Sequence, residues 1–256
     1  MKSPLKDKPL RNPGESLDNQ IKDLMVDTVD TYLLFPAFLI VMAMMEWIHW
    51  YSKAPPSPWL SSFVALVAVL YSTVRIIRVK KKLKSLRQGR DGEKAVGQYL
   101  ELFREKGAKI YHDIPAKGFN LDHVVICKSG IYVIETKTFS KPDKGEAKII
   151  FNGETVFLNG KSENNKPIVQ VKAAANWLKD LINDSTGHKF MIKPIVVFPG
   201  WYIESTSDVK SSEVWVLNPK ALPTYISNSK DQLSAEEISM VAFHLSRYVR
   251  SYVEAV

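Results

Sequence analysis

Two long apolar runs near the N-terminus dominate the pattern of hydrophobic and polar positions. The first covers residues 32–51, YLLFPAFLIVMAMMEWIHWY, and the second covers residues 59–77, WLSSFVALVAVLYSTVRII. Each run is close to the roughly 20 residues that a helix needs to cross a bilayer core, and neither has a polar stripe before its ends. A short proline-rich link, SKAPPSP, joins them. The pattern predicts a transmembrane helical hairpin over residues 31–78, and two buried core helices are the alternative.

Aromatic and basic residues mark opposite ends of this hairpin. Aromatic side chains cluster at the link end: Trp47, Trp50, Tyr51 and Trp59. Basic side chains follow the second run: Arg75, Arg78, Lys80, Lys81, Lys82, Lys84, Arg87 and Arg90. Interfacial aromatics and the positive-inside rule place the basic end in the cytoplasm. We therefore expect a protein of the cell (inner) membrane with two spans and both termini cytoplasmic. The basic connector, residues 79–89, is also suited to contact anionic lipid.

The residues on either side of the hairpin differ in pattern. Residues 1–30 are polar and carry three prolines, which favours a loose tail, and helical spacing of apolar positions from Leu17 onward allows a helix within it. After the connector, apolar periodicity changes between helical and strand spacing. The predicted order is helix 92–106, strand 110–114, two strands within 118–137, hairpin 147–158, helix 167–183, strands 193–198 and 213–217, and helix 219–226. This order predicts an α/β fold with a mixed sheet flanked by helices over residues 90–228. A capping box, Ser234 with Glu237, starts an amphipathic helix within residues 229–256.

The stretch from residue 118 to residue 137, GFNLDHVVICKSGIYVIETK, carries charges where core strands should have none. It has the pattern of two buried strands joined by a tight turn. Asp122 lies early in the first strand, and Glu135 and Lys137 end the second. Because strand side chains alternate between faces, Glu135 and Lys137 share one face.

The position of the turn decides which residue faces Asp122. A turn at Lys128-Ser129 places Asp122 opposite Glu135, and a turn at Ser129-Gly130 places it opposite Lys137. In either register Asp122 joins the face of Glu135 and Lys137. The sequence therefore predicts two carboxylates and an ammonium at one end of an otherwise apolar sheet.

Such a cluster is costly to bury unless its charges are paired or hold a metal ion. Two carboxylates, together with waters and a substrate phosphate, suit Mg²⁺ or Mn²⁺. A nearby lysine can position or deprotonate the attacking water, or stabilise charge that develops on the phosphate. This chemistry is what the hydrolysis of a phosphodiester requires. The alternative is a structural ion pair between Lys137 and either Asp122 or Glu135.

The same residues resemble a known signature. Asp122, an apolar strand and then Glu135-Thr136-Lys137 resemble the (P)D…(D/E)xK pattern of the restriction-endonuclease-like superfamily. More narrowly, residues 90–226 resemble the nuclease-related domain called NERD. The matching pieces are Gly92-Glu93, LDHVV at 121–125, GIYVIETK at 130–137, and Pro167 followed by Gln170.

The resemblance implies a role for each matching residue. Asp122 and Glu135 would be metal ligands, and Lys137 would be the catalytic lysine. Glu93 would be an additional acid near the metal or its water, and Gln170 would be a polar residue at the edge of the site. A solvated acid in the first turn of a helix is the alternative for Glu93. His123 points to the opposite face of its strand, where a packed, hydrogen-bonded histidine is expected.

Charge and cysteine content limit the function further. The formal net charge of +8 favours nucleic acid or anionic lipid as a partner, although membrane proteins also carry basic residues beside their spans. A single cysteine, Cys127, excludes an intrachain disulfide and a cysteine-based zinc site. We predict a membrane-anchored, Mg²⁺-dependent nuclease that acts on DNA, with RNA as the alternative substrate. One alternative is a non-catalytic module that binds nucleic acid or a partner. Another is a structural or signalling membrane protein.

Overall fold

The computed structural model describes residues 10–53, 58–142, 146–160, 162–206 and 212–254. The chain divides into two compact units, which we describe separately. Residues 16–88 form the helical unit, and residues 1–15 together with 89–256 form the α/β unit. Residues 54–57 of the predicted link and residues 1–9 of the predicted tail lie outside the described residues. The chain thus leaves the α/β unit before residue 16 and re-enters it after residue 88.

Two long helices, α1 (Glu15–Tyr51) and α2 (Pro58–Arg104), contain the predicted apolar runs. Both are long and apolar enough to cross a membrane, judged by length and composition. Only 12% and 11% of their most apolar windows are buried, whereas the core helix of a soluble protein is mostly buried. Phe35 and Phe38, for example, are 61% and 60% exposed. The tail is helical from Glu15 onward, two residues before the Leu17 start that the sequence allowed, and this helix continues without a break into the first predicted span.

Helix α2 is longer than its sequence pattern indicated. The predicted second span, the basic connector and the following amphipathic helix are one unbroken helix that ends at Arg104. Two glycines within it, Gly92 and Gly97, allow close packing. A Cβ atom at Gly92 would lie 2.1 Å from the Thr138 side chain, and one at Gly97 would lie 2.7 Å from the Pro13 ring. Close contact therefore offsets the cost of about 1 kcal/mol that a helical glycine carries relative to alanine.

The centre of the α/β unit is a five-stranded mixed sheet in the order β1-β2-β3-β7-β9. Its strands are β1 (Lys109–Ala116), β2 (Phe119–Cys127), β3 (Gly130–Thr136), β7 (Ile192–Val197) and β9 (Trp215–Leu217). The first three pair antiparallel, as expected for strands joined by tight turns. The last three pair parallel, and helix α3 (Lys166–Thr186) lies in the connection from β3 to β7.

A second, four-stranded sheet has the order β6-β5-β4-β8. Its strands are β4 (Lys148–Phe151), β5 (Val156–Leu158), β6 (Ser162–Asn164) and β8 (Tyr202–Ser205). The predicted hairpin turns at Asn152-Gly153, where the Asn152 side chain accepts hydrogen bonds from the backbone N–H groups of Glu154 and Thr155. Strands β6 and β8 were not predicted, because they are short and depend on pairing with β5 and β4.

Helices cover both faces of the five-stranded sheet. On one face pack α3 and α5 (Ala235–Glu254), with core residues such as Val171, Leu178 and Val241. On the other face pack the last turns of α2 and the short helix α4 (Leu222–Ser227). The predicted capping box is present, because Ser234 and Glu237 exchange side-chain hydrogen bonds with each other's backbone N–H. The predicted fold class, a mixed sheet flanked by helices and preceded by two apolar helices, is confirmed.

Candidate active site

The register between β2 and β3 fixes the geometry of the predicted site. Cys127 pairs with Gly130 and His123 pairs with Ile134, so the turn lies at Lys128-Ser129. The next position along this ladder places Asp122 opposite Glu135, which is the first of the two registers that the sequence allowed. Glu135 shares its side of β3 with Val133 and Ile131, which pack in the core beneath α3.

Lys137 joins Glu135 to helix α3. Its backbone N–H donates to the Val197 carbonyl at 2.9 Å, which holds the chain beside β7 just past the end of β3. Its Nζ donates to Glu135 Oε1 at 2.6 Å and to Gln170 Oε1 at 2.8 Å. Gln170 lies in the first turns of α3, after Pro167 at the helix start. The structure therefore brings together these three residues, which are distant in sequence.

Asp122 is held by the backbone of the opposite strand. The Thr136 N–H donates to Asp122 Oδ2 at 2.7 Å. The described residues give Asp122 Oδ1 no hydrogen bond. Burial raises the pKa of Asp122 well above its ordinary value, and the carboxylates of Glu135 and Glu93 raise it further. The Thr136 N–H and the Lys137 ammonium oppose this shift. Asp122 thus has a restrained side chain, a free oxygen and an excess of negative charge around it.

Glu135 and Glu93 are more deeply buried than their charge would favour. Glu135 is 3% exposed, and burial raises its pKa against the opposing effect of Lys137. Glu93, in α2, is 8% exposed, so it is not the solvated first-turn acid of the alternative interpretation. Burial raises the pKa of Glu93 to about 7, with further contributions from the carboxylates of Asp113 and Glu135. Two carboxylates from different elements therefore compete for the little positive charge that Lys137 supplies.

Sequence reasoning missed Asp113, a further acid at the same place. Its position in β1 is opposite Asp122, because His112 pairs with His123 and Ile114 pairs with Leu121. Asp113 is 1% exposed and has a φ of +49°, which non-glycine residues rarely adopt. The available signal was an acidic residue in the middle of the strand KIYHDIPA, whose positions from Ile110 onward are all buried.

Hydrogen bonds hold Asp113 in this conformation. Arg11 Nη2 lies 3.2 Å from Asp113 Oδ2, and Asn120 Nδ2 donates to Asp113 Oδ1 at 2.9 Å. Arg11 precedes α1 in the sequence, whereas Asn120 lies at the start of β2. The Asp113 carboxylate thus contacts one residue that precedes the two apolar helices in the sequence and one that follows them.

His123 points away from this cluster, as predicted. A hydrogen bond of 2.8 Å joins His123 Nδ1 to His112 Nδ1. The other ring nitrogen of His112, Nε2, lies 3.6 Å from Glu101 Oε1. His123 is fully buried, and burial lowers its pKa well below the ordinary value for histidine. His123 is therefore a packed, hydrogen-bonded histidine under α2 and not a member of the carboxylate cluster.

The cluster can be compared with the needs of a divalent cation. Among the described residues, no group of three or more His, Cys, Asp or Glu side chains is arranged as a ready metal cage. Mg²⁺, however, rarely uses such a cage, and it is usually bound through one or two carboxylates, water and substrate phosphate. Asp122 and Glu135 lie at facing positions of neighbouring strands and interact electrostatically, so their two carboxyl groups fit that smaller donor set.

Comparisons with known proteins found one family model and one solved structure that are similar to the α/β unit. Residues 88–199 match the family model described as NERD, nuclease-related domain. The match confirms the predicted resemblance to this domain over residues 88–199. All five residues predicted for the site lie within these limits. The match ends before residue 228, the predicted limit of the domain. A solved structure of Pyrococcus furiosus SfsA in complex with Ca²⁺ is similar over 50% of this chain and 54% of the SfsA chain. The sequence identity is 17% and the TM-score is 0.27. No curated protein matches this chain.

Proposed function

We propose that the α/β unit is a metal-dependent nuclease that hydrolyses the phosphodiester bonds of DNA, with RNA as the alternative substrate. The observation that carries the proposal is the position of Lys137, whose ammonium lies between Glu135 and Gln170 at the strand end that also holds Asp122. The match of residues 88–199 to a nuclease-related domain supports the same class of reaction.

Each side chain has a role that its contacts support. Asp122 and Glu135 would hold Mg²⁺ or Mn²⁺, which supplies Lewis-acid stabilisation of the phosphate when bound. Lys137 Nζ, already oriented by two acceptors, would hold the attacking water or stabilise charge on the phosphate. Gln170 fixes the ammonium from the α3 side, and the buried Glu93 adds an acid beside the ligands.

The substrate class is tested with the purified full-length protein in detergent micelles. Linear DNA, circular DNA and RNA are each incubated with Mg²⁺, Mn²⁺ or chelator. The proposal expects DNA cleavage only with a divalent cation, and cleavage of circular DNA would identify endonuclease action. If no substrate is cut under any condition, the proposed reaction is wrong.

A non-catalytic binding module is the second candidate. The observation in its favour is that Lys137 and Glu135 already form a close ion pair, 2.6 Å between Nζ and Oε1, which a purely structural role would also require. This candidate expects nucleic-acid binding that is equal with and without Mg²⁺, and no cleavage in the same assay.

A basic groove between β1 and α5 is the surface that we propose guides nucleic acid to the site. It has a volume of about 840 Å³, and its cations come from Lys109, Arg247 and Arg250. Three serines and the 63% exposed ring of Phe243 complete its polar and aromatic lining, and none of its described lining residues is acidic. Tyr111 of the groove precedes Asp113 by two residues in β1, a rise of about 7 Å. The groove thus borders β1, the strand that also carries Asp113.

Reversing the charge of this groove should weaken DNA binding. Salt dependence of binding reports the number of phosphate contacts, so the double substitution Arg247→Glu and Arg250→Glu should flatten the slope of log Kd against log salt by about 2. The measurement is fluorescence anisotropy of labelled DNA across a salt series. Lys84→Glu, in the basic connector, is the matched control and should leave the slope unchanged. An unchanged slope in the groove variant would exclude the groove as the path.

We further propose that α1 and the first part of α2 span the inner membrane as a hairpin, with both termini in the cytoplasm. The exposure of their apolar side chains supports this placement. At the link end, Trp47 forms edge contacts with Trp50 and Trp59 and donates from Nε1 to Ser62 Oγ at 3.0 Å. Tryptophan at a bilayer interface has this mixed character. Since residues on both sides of the helical unit belong to the α/β unit, an even number of spans is required.

The membrane topology is tested by labelling single cysteines in intact cells with an impermeant reagent. In a Cys127→Ser background, Lys53→Cys should be labelled from outside and Lys106→Cys only after the membrane is permeabilised. Labelling of both from outside, or of neither, would overturn the hairpin.

Binding of the basic connector to anionic lipid is tested with the Lys84→Glu variant, which should bind less tightly to vesicles containing phosphatidylserine.

A further inference from the structure

A short segment before α1 packs on the α/β unit; we call residues 10–15 the N-terminal strap. Leu10 packs against the apolar core on the α3 face. Pro13 fills the space that Gly97 leaves open in α2. Asn12 closes the strap, because its carbonyl accepts from the Glu15 N–H at 3.2 Å and its own N–H donates to Glu15 Oε2 at 2.9 Å. The strap thus has a defined place on the unit, although the sequence pattern predicted a loose tail.

Two polar interactions of the strap involve buried acids of the candidate active site. Arg11 forms its ion pair with Asp113, and the side chains of the two residues are only 16% and 2% exposed. The Gly14 N–H lies close enough to the Glu93 carboxyl group to lower the pKa of that group. Gly14 has a φ of +72°, which allows its N–H to point at the acid. The strap therefore supplies one full positive charge and one oriented N–H group to the carboxylate cluster.

Asp113 transmits the effect of Arg11 to the predicted metal ligands. It lies opposite Asp122 on the neighbouring strand, and its left-handed backbone is a conformation that surrounding contacts must maintain. A buried carboxylate that loses a charged partner is strongly destabilised in place. Loss of Arg11 would therefore allow this part of β1 to relax, and the backbone of β2 that carries Asp122 would move with it.

We propose that Arg11 is a positioning residue of the active centre, which acts through Asp113 to hold Asp122 and Glu93 in their productive positions. This inference rests on the proposed nuclease function. The strap lies outside the segment that matches the nuclease-related domain, so the active centre of this protein includes residues from before its apolar helices. Because α1 begins at Glu15, the strap is also directly continuous with a helix that we propose lies in the membrane.

The test compares four forms of the full-length protein in detergent micelles: wild type, Arg11→Ala, Arg11→Lys and Lys106→Ala. Lys106 is exposed in the turn that follows α2 and serves as the control. The kcat and KM for DNA are measured with Mg²⁺, together with the melting temperature. A misplacement of catalytic groups by about 1 Å lowers rates up to roughly 10²-fold. We expect kcat to fall 10-fold or more in Arg11→Ala with KM little changed, and a partial recovery in Arg11→Lys.

A double-mutant comparison separates positioning from general stability. If Arg11 acts through Asp113, the double variant Arg11→Ala with Asp113→Asn should be no slower than Asp113→Asn alone. Rates that fall independently in the two variants would overturn the proposed route. So would a wild-type kcat in Arg11→Ala, or a loss that appears only in proportion to the fall in melting temperature.

Hydrogen exchange keeps the inference testable if the protein cuts no nucleic acid. The amide of Thr136, which donates to Asp122, reports whether Asp122 stays in place. Its exchange should be at least several-fold faster in Arg11→Ala than in wild type or Lys106→Ala. Unchanged exchange would overturn the positioning role whether or not the wild type is a nuclease. Faster exchange without any cleavage would overturn the proposed function alone.

Discussion

Replacing Lys137 by methionine is expected to lower the rate of Mg²⁺-dependent DNA cleavage by about 10² to 10³-fold, the usual cost of removing one group that stabilises transition-state charge. Methionine has a similar length but no ammonium, so the water or phosphate loses its positive partner. Single-turnover cleavage by the full-length protein, with DNA binding followed in parallel, measures the effect. Binding should persist, because the groove cations are unchanged.

The interpretation of this variant depends on a control for folding. Without Lys137, the nearly buried Glu135 loses the partner that lies 2.6 Å away and will take up a proton more readily. Circular dichroism at the assay temperature should therefore be recorded for each variant. Lys106→Met, an exposed lysine in a turn, should cleave as wild type does. If Lys137→Met cleaves as fast as Lys106→Met, then Lys137 has no catalytic role.

The contribution of Glu93 to stability is expected to fall as pH rises from about 4.5 to 7 when the protein is kept in chelator. The folded pKa of Glu93 is about 7 and its ordinary value is 4.5, so the folded state binds the proton more tightly. The stabilising effect of that proton is complete below the ordinary pKa and is lost as pH passes the folded one. The pKa values of Asp122 and Glu135 are raised too and act in the same direction.

Glu93→Gln should remove much of this pH dependence. Glutamine keeps the shape of the side chain but cannot ionise, so the variant avoids the cost of a buried charge. At 1.36 kcal/mol per pKa unit, the contribution of Glu93 is roughly 3 kcal/mol between the two ends of the range. Denaturant titrations of the full-length protein in micelles, followed by tryptophan fluorescence, measure it. Equal slopes of unfolding free energy against pH in the two proteins would contradict the assigned pKa shift.

The relation among Asp122, Glu135 and Lys137 was predictable because it depends on local rules. Side-chain alternation and a tight turn leave few registers for two adjacent strands, and both of the considered registers placed these residues on one face. Gln170 entered only through resemblance, since nothing in the spacing of α3 shows that it faces Lys137. Its hydrogen bond depends on how the helix packs after the second sheet has been completed.

Asp113 and Arg11 were not predictable from pattern. The role of Asp113 depends on the pairing of β1 with β2 and on a positive φ that no sequence rule requires for aspartate. Arg11 lies in a polar, proline-rich segment, and such composition ordinarily predicts a tail without tertiary contacts. The contact forms because the strap docks on residues that are far away in the chain, and local propensity contains no information about that partner.

The continuity of α2 is a second case in which tertiary contacts, and not local propensity, determine the structure. The sequence pattern predicted the connector, residues 79–89, and the helix over residues 92–106 as separate segments, and glycine within a helix weakens it. In the structure, Gly92 and Gly97 are the positions where Thr138 and Pro13 approach the helix most closely. Tertiary packing therefore decides the outcome at positions where propensity alone favoured a break.

The most direct measurement of the central claim compares wild-type protein with Glu135→Gln, prepared identically and freed of metal ions. Each is mixed with circular DNA in chelator, and Mg²⁺ is then added in excess while cleavage is followed with time. We predict that wild-type protein begins to cut only when Mg²⁺ is added and that Glu135→Gln, though folded, does not cut above background. Equal cleavage by the two proteins, or cleavage by the wild type in chelator, would contradict a metal-dependent active site at Glu135.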